Sequence, residues 1–264
     1  MRKTGCAVML FAVLLPLLSG CASVREPELP TLVIGCSDYR PYTYFNADGE
    51  PAGIGIEFAR EACRRLGYEP LFKQIDRKGR ENALESGEVD CLWSFTREDT
   101  AGSYSYRWVG PYMYGRRVAA VLNSSRLHSV RELEDKSVAI RAIAKSDELF
   151  SKENENALPT LRNLYCLSGA DDVVTALRND YVDACVGYAA TLTGLLETAE
   201  VSFRFLDEDL PRSEFGAAFS PDADSELVEK MNAVFTEMIE DGTKRKILEE
   251  YDADISVALW EGNE

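Results

Sequence analysis

Residues 89–112, VDCLWSFTREDTAGSYSYRWVGPY, carry an apolar strand that empties into a loop where Arg97, Glu98 and Asp99 stand side by side among aromatics. Charge of both signs beside ring faces suits the capture of a small charged ligand. A second such group follows the short apolar strand at 32–35, where Asp38, Tyr39, Arg40, Tyr42, Tyr44 and Phe45 crowd one loop. Loops at the carboxyl ends of strands in an open α/β sheet are where ligands bind. Metal and nucleophilic chemistry find no comparable pattern: there is no Cys-x-x-Cys or Cys/His spacing. The single histidine, His128, lies in the polar stretch 123–129 and reads as a surface residue.

The elements that must hold these loops alternate. After the strand at 32–35 and a turn at Asp48-Gly49, a helix over 56–66 places Phe58, Ala59, Ala62, Cys63 and Leu66 on one face. Gly67 stops it at the C′ position. A strand follows at 68–75, then a helix ending at 82–86 before Gly87, then the strand 89–93. Strand, helix, strand, helix, strand with short connections is a parallel, doubly wound sheet with right-handed crossovers.

The pattern then repeats. The apolar run 117–122 leads into a new polar segment, followed by a short helix at 130–134, a strand at 138–140 and a helix starting near Ser146. A strand at 163–167, a helix at 170–179 carrying Val173, Val174, Ala176 and Leu177, and a strand at 183–188 that leaves into a loop complete a second βαβ set. Two lobes follow from that. Strands at 201–206 and 215–220 flank an acidic loop. A long amphipathic helix with Ser225 as N-cap then turns Leu227, Met231, Val234, Phe235, Met238 and Ile239 inward. Gly242 ends it and Thr243 caps a last helix whose Ile247, Leu248 and Tyr251 face the core.

Length and composition fit this reading, since 264 residues with 45% apolar content can build one large domain or two small ones. Arg2 and Lys3 precede an apolar run over 7–18 and then Leu18-Ser19-Gly20-Cys21, the order of a secretory signal peptide. The run is about a dozen residues, short of the ~20 a spanning helix needs. Its ending resembles a bacterial lipobox, which implies cleavage before Cys21, acylation of that cysteine and a seat on the outer side of the membrane. Residues 22–30, with Pro27 and Pro30, read as an extended tether. The formal charge of −16 deepens by two when Arg2 and Lys3 leave, and so acidic a surface repels nucleic acid. The cysteines left in the fold are Cys36, Cys63, Cys91, Cys166 and Cys185, an odd number that reads as buried thiols or as one disulfide among them.

Val33-Ile34-Gly35, Pro41-Tyr42, Asp48-Gly49, Ala52-Gly53-Ile54, Leu66-Gly67-Tyr68 and Ser86-Gly87-Glu88-Val89-Asp90 together resemble the family 3 extracellular solute-binding proteins. Leu133-Glu134-Asp135-Lys136-Ser137-Val138-Ala139-Ile140, Ala176-Leu177-Arg178-Asn179, Val182-Asp183-Ala184 and Asp241-Gly242-Thr243 with Ile247 and Tyr251 continue the resemblance in order. It implies an α/β, two-lobed, type II periplasmic-binding-protein-like fold, each lobe a doubly wound and mainly parallel sheet, joined by two hinge crossings. Residues 1–20 would be the signal peptide and 21–30 the tether. Residues 31–118 with 215–264 would form lobe 1 and 122–212 lobe 2, with hinges near 119–121 and 213–214. The implied role is capture of a small carboxylate-bearing ligand, such as an amino acid, between the lobes for an ABC importer. The implied partners are the permease and, through lipidated Cys21, the membrane; no cofactor, catalysis or nucleic acid is implied.

Carried onto this chain, the resemblance points to Asp38, Tyr39 and Tyr42 after the first strand and to Ser94, Phe95, Thr96 and Arg97 after the third. In the second lobe it points to Ala144, Lys145, Ser146 and Tyr188. Arg97 is the candidate carboxylate clamp, its planar fork suited to both oxygens, with Arg107 as the fallback. The family's common Thr-x-x-Arg falls later, where this chain has Ala101-Gly102. Tyr39, Tyr42 and Phe95 either stack on the ligand or pack inside the lobe. Backbone N–H groups at 144–146 could meet the ligand carboxylate from the other side. Tyr188 stands where the family has an acid for the ligand ammonium, so Asp38 and Asp99 do that work or the ligand is not an ordinary α-amino acid. The same fold also carries a cyclohexadienyl-dehydratase-type enzyme, for which Glu98 or Asp99 would be the acid or base, and it forms the ligand-sensing part of signalling systems.

Overall fold

The computed structural model describes residues 28–100, 104–141, 159–208, 210–251 and 254–259. Cys21, most of the tether, Ala101-Gly102, and Ala144, Lys145 and Ser146 with the helix expected there lie outside the described residues. In chain order the strands are β1 (Thr31–Cys36), β2 (Tyr44–Phe45), β3 (Pro51–Ala52), β4 (Glu69–Gln74), β5 (Cys91–Thr96), β6 (Arg107–Leu122), β7 (Ser137–Arg141), β8 (Asn163–Leu167), β9 (Ala184–Tyr188), β10 (Phe203–Phe205) and β11 (Leu210–Phe219). The helices are α1 (Ile54–Leu66), α2 (Arg80–Glu85), α3 (Ala170–Arg178), α4 (Ala189–Thr198), α5 (Ser225–Glu240), α6 (Thr243–Glu249) and α7 (Ile255–Ala258).

Two parallel sets form as the pattern implies. β1 pairs in parallel with β4 and β5, and β7 pairs in parallel with β8 and β9. What joins them is a pair of long antiparallel strands in the middle, so that the sheet runs β4-β1-β5-β11-β6-β9-β7-β8, with β10 added to β6. The core changes hands along β6. Val109, Tyr112 and Met113 pack with α1 and α5 in the first body, whereas Val118 and Ala120 pack with α3 and Ala119 and Val121 with β7 in the second.

Helix α1 buries Phe58, Ala59, Ala62 and Cys63, each large side chain contributing about 1.5–3 kcal/mol, and Gly67 closes it in the left-handed region at φ 74°. Arg65 ties α1 to the C-terminal helices, donating to Glu61 Oε1 at 2.7 Å and to Thr243 Oγ1 at 2.9 Å, and pairing with Asp241 at 2.7 Å.

Several boundaries differ from the sequence reading. β5 starts at Cys91 and continues through Thr96 because β11 pairs with it, Phe215 opposite Thr96, so Ser94, Phe95 and Thr96 are strand rather than loop. Gly110-Pro111-Tyr112 lie inside β6, which starts at Arg107, ten residues before the expected run. Tyr188 leads straight into α4, whose small residues and weak amphipathic stripe read as a loop. Asp224, not Ser225, caps α5, its Oδ1 accepting from Glu226 N at 2.9 Å. Thr243 is the first residue of α6, and Gly242 is its N-cap. Ile239 is 43% exposed, while Val228 takes a buried place on α5.

Candidate functional site

The two bodies meet around four rings. Tyr39 and Tyr42 come from the loop after β1, Phe215 from β11 and Tyr188 from the end of β9. Tyr42 stacks on Phe215 at 4.5 Å, and Tyr188 lies 5.8 Å from both Tyr39 and Tyr42 and 5.0 Å from Phe215. All four are buried. The close approach needs Gly115: a Cβ there would stand 2.5 Å from Phe215 Cε2 and 2.9 Å from Tyr188 Cε1. Burial raises the pKa of Tyr42 and of Tyr188, so both stay neutral hydroxyls at physiological pH.

Beside the rings sits a charged pair. Arg117 on β6 stands opposite Tyr188 in the sheet register, its guanidinium 5.5 Å from the ring centre and Nη2 within 3.5 Å of the hydroxyl. Arg117 Nη2 donates to Glu98 Oε1 at 3.0 Å, and Ser213 Oγ donates to the same oxygen at 3.0 Å. Burial opposes the Arg117 charge, but Tyr188 and Glu98 outweigh it and raise its pKa. Glu98 Oε2 is buried and has no hydrogen-bond partner among the described residues. An acceptor in that state costs free energy until a donor reaches it. The site therefore offers a fixed cation, an acid with one open oxygen, and ring faces within one small space.

Further contacts bridge the bodies at the mouth. Thr191 Oγ1 on α4 donates to Arg40 O at 2.8 Å, and the Arg141 guanidinium lies 5.3 Å over the Tyr39 ring and reaches Asp38 O at 3.5 Å. A groove of about 780 Å³ opens there between the loop bearing Asp38, Arg40 and Pro41 and the helices α3 and α4.

Of the residues singled out in the sequence, the structure brings Tyr39, Tyr42 and Tyr188 together and sets Asp38 exposed at the mouth. Arg97 is exposed in the turn after β5, its guanidinium 5.8 Å over Trp108, and none of its described contacts joins it to the ring cluster. Arg107 donates to Ala223 O at 2.6 Å and Ser225 Oγ at 3.1 Å, tying β6 to the start of α5. Phe95 packs inside the first body between Arg80, at 4.5 Å, and Tyr106, at 4.9 Å. Ser94 has a left-handed backbone, φ 51°, at the β5–β11 register shift, and its hydroxyl shares a 2.9 Å hydrogen bond with Tyr112. Asp99 is buried, its Oδ2 accepting from Thr96 N at 3.1 Å and Thr96 Oγ1 at 3.0 Å, with Arg80 at 3.6 Å. Arg117, Ser213 and Phe215 were not singled out, and Glu98 was noted in the charged loop and as a catalytic acid or base but was not placed among the ligand-binding residues. The arginine pair Arg116-Arg117 at the start of an apolar run was the sole signal for Arg117. Cys36, Cys63, Cys91 and Cys185 are buried free thiols and Cys166 is exposed; His128 is exposed as expected.

Comparison with known proteins places this geometry in context. The model of the bacterial extracellular solute-binding proteins, family 3, matches residues 32–253. The arginine-binding extracellular protein ArtP of Bacillus subtilis is 24% identical over 243 residues, covering 87% of this chain and 90% of ArtP. The histidine-binding periplasmic protein of Escherichia coli K12 is 25% identical over 221 residues, covering 81% and 84%. Among solved structures, Tv2483 bound to L-arginine superposes with a TM-score of 0.71 at 25% identity, covering 89% of this chain and 95% of that one. A histidine kinase sensor domain with similarity to periplasmic binding proteins shares the fold at 18% identity and TM-score 0.71, covering 84% and 96%.

Proposed function

The chain belongs to the bacterial extracellular solute-binding proteins of family 3, and from that premise we propose that it captures a free amino acid between its two bodies, outside the cytoplasm, for an ABC importer. The observation that carries the ligand class is the half-buried pair Arg117 and Glu98, in which the buried Glu98 Oε2 has no hydrogen-bond partner among the described residues. An α-amino acid is the small solute that answers both. Its carboxylate takes the Arg117 fork, and its ammonium supplies the donor that Glu98 Oε2 lacks. Tyr39, Tyr42, Tyr188 and Phe215 then give ring faces to the ligand side chain and exclude water, which strengthens both charge contacts. In this reading Glu98 does the work of the acid that position 188 lacks, and Arg117 the work first assigned to Arg97. Asp99 is held by Thr96 and Arg80 and keeps the turn in shape.

The curated relatives bind arginine and histidine by name, which supports a cationic or aromatic side chain on the ligand. Two further parts of the reading rest on the sequence and the family. Lipidated Cys21 would hold the protein at the membrane, and the mouth, where Arg40 and Thr191 bridge the bodies, would report closure to the permease. Domain limits in this reading follow the core: the crossings lie where β6 passes from Met113 to Val118 and where β11 enters the first body at Phe215.

The test is a thermal-shift screen of the mature chain against the twenty amino acids, short peptides and organic acids. A true ligand at a hundred times its dissociation constant adds about 2.7 kcal/mol of stability. Stabilisation by an amino acid, and none by its amide or its decarboxylated amine, supports the paired-charge reading; equal shifts by all three exclude it.

A further inference from the structure

In the first body, α5, α7 and the early part of β6 border an open-mouthed cavity of about 470 Å³ that shares no lining residue with the ring cluster. Pro111, Tyr114, Phe235, Ile239 and Glu240 line it, and so does Lys244 of α6. Lys244 is only 4% exposed. Its Nζ makes one described hydrogen bond, a long one of 3.4 Å to Pro111 O, and among the described residues no carboxylate pairs with it. A buried ammonium without a counter-charge is costly, so the cavity calls for an anion at that point. Ile239 and Phe235 supply an apolar wall, and Ile239 is 43% exposed although it lies on a helix whose neighbouring apolar residues are buried. A few convergent polar groups in an apolar cleft of this size are the marks of a small-molecule site.

We infer that this cavity is a second binding site, separate from the ring cluster, for a small carboxylate with an apolar body, its carboxylate on Lys244 and its body against Phe235 and Ile239. Burial holds the Lys244 pKa down to about 8, so the amine is mostly protonated at neutral pH and a bound carboxylate raises its pKa. Among the described residues, two other titratable groups line the cavity. Tyr114 has its pKa raised by burial and by Glu214, so it stays neutral, and Glu240 sits exposed at the rim, where it disfavours ligands carrying a second negative charge.

The test uses the mature chain labelled with ¹³C at lysine Cε, titrated with 3-phenylpropionate and, separately, with 3-phenylpropanol. The expected result is a saturable shift of the Lys244 resonance with the acid, at least a tenfold weaker response to the alcohol, and loss of the response in Ile239→Glu, which puts an acid on the apolar wall without touching Lys244. Lys244→Met serves to assign the resonance. An Arg117→Met chain run in parallel should keep the response, which separates this site from the ring cluster. The inference is overturned if Lys244 does not respond, if acid and alcohol act alike, if Ile239→Glu responds as the parent does, or if Arg117→Met abolishes the response.

Discussion

Replacing Arg117 by Met removes the cation from the ring cluster while keeping a long apolar side chain against Tyr188. The pair it belongs to is short and half-buried: Nη2 to Glu98 Oε1 is 3.0 Å, with the Arg117 side chain 11% and the Glu98 side chain 32% exposed. At that separation, with an effective dielectric of about 20, the gross Coulomb attraction is on the order of 5 kcal/mol. Desolvation cancels part of it, and loss of one partner from an enclosed charge pair costs ~3–5 kcal/mol. For a ligand carboxylate held by the same guanidinium, that is roughly a 150-fold to 5,000-fold rise in Kd. Arg97 offers the contrast, since it is exposed and lies over Trp108; Arg97→Ala should leave Kd within about threefold. The assay is isothermal titration of the mature chain with the amino acid that gives the largest thermal shift. Arg117→Met combined with Glu98→Gln controls for the acid left uncompensated by the single change. The reasoning is refuted if Arg117→Met binds within threefold of the parent, or if Arg97→Ala weakens binding more than Arg117→Met does.

Gly115→Ala drives a methyl group into Phe215 and Tyr188, an overpacking that should cost ~1–3 kcal/mol of stability, read by urea unfolding, and weaken ligand binding. The pKa of Lys244, about 8 in the fold, lies below the ~10.4 of an unfolded lysine, so between those values the unfolded chain holds the extra proton and stability rises with pH. Lys244→Met should therefore be more stable than the parent by on the order of 3 kcal/mol at pH 7, with the gap closing by about pH 10; a constant gap across that window would count against a depressed pKa. Cys21→Ser, expressed with its leader, should move the protein from the membrane pellet to the soluble extracytoplasmic fraction, and retention in the pellet would count against lipidation.

Local pattern carried much of this protein. The 3.6-residue stripe of 56–66, stopped by a glycine that tolerates φ 74°, sufficed to draw α1 almost to its ends, and the same holds for α3. The repeated strand-helix order and the short motifs along it named the family without any contact being known. Ring cluster members Tyr39 and Tyr42 were legible because they lie in the loop that follows β1, and Tyr188 because it ends β9, where ligand loops begin.

The charges were not legible in the same way. Arg117 meets Tyr188 across 71 residues, and Ser213 meets Glu98 across 115, through the register of β6 against β9 and β11. No periodicity within a segment encodes which of two arginines ten or twenty residues apart will end against a given acid. That is decided by strand pairing, and the pairing also drew β5 and β6 beyond their apolar runs. Burial of Lys244 is of the same kind: its own helix reads as an ordinary basic first turn, and only packing of α6 and α7 against β6 removes the ammonium from water. Sequence alone thus determined the elements, their order and the family, because those rest on local steric and hydrophobic rules. Tertiary structure decided which ionic groups share an enclosed space, because electrostatic partnership depends on distance in three dimensions and on the water that folding expels.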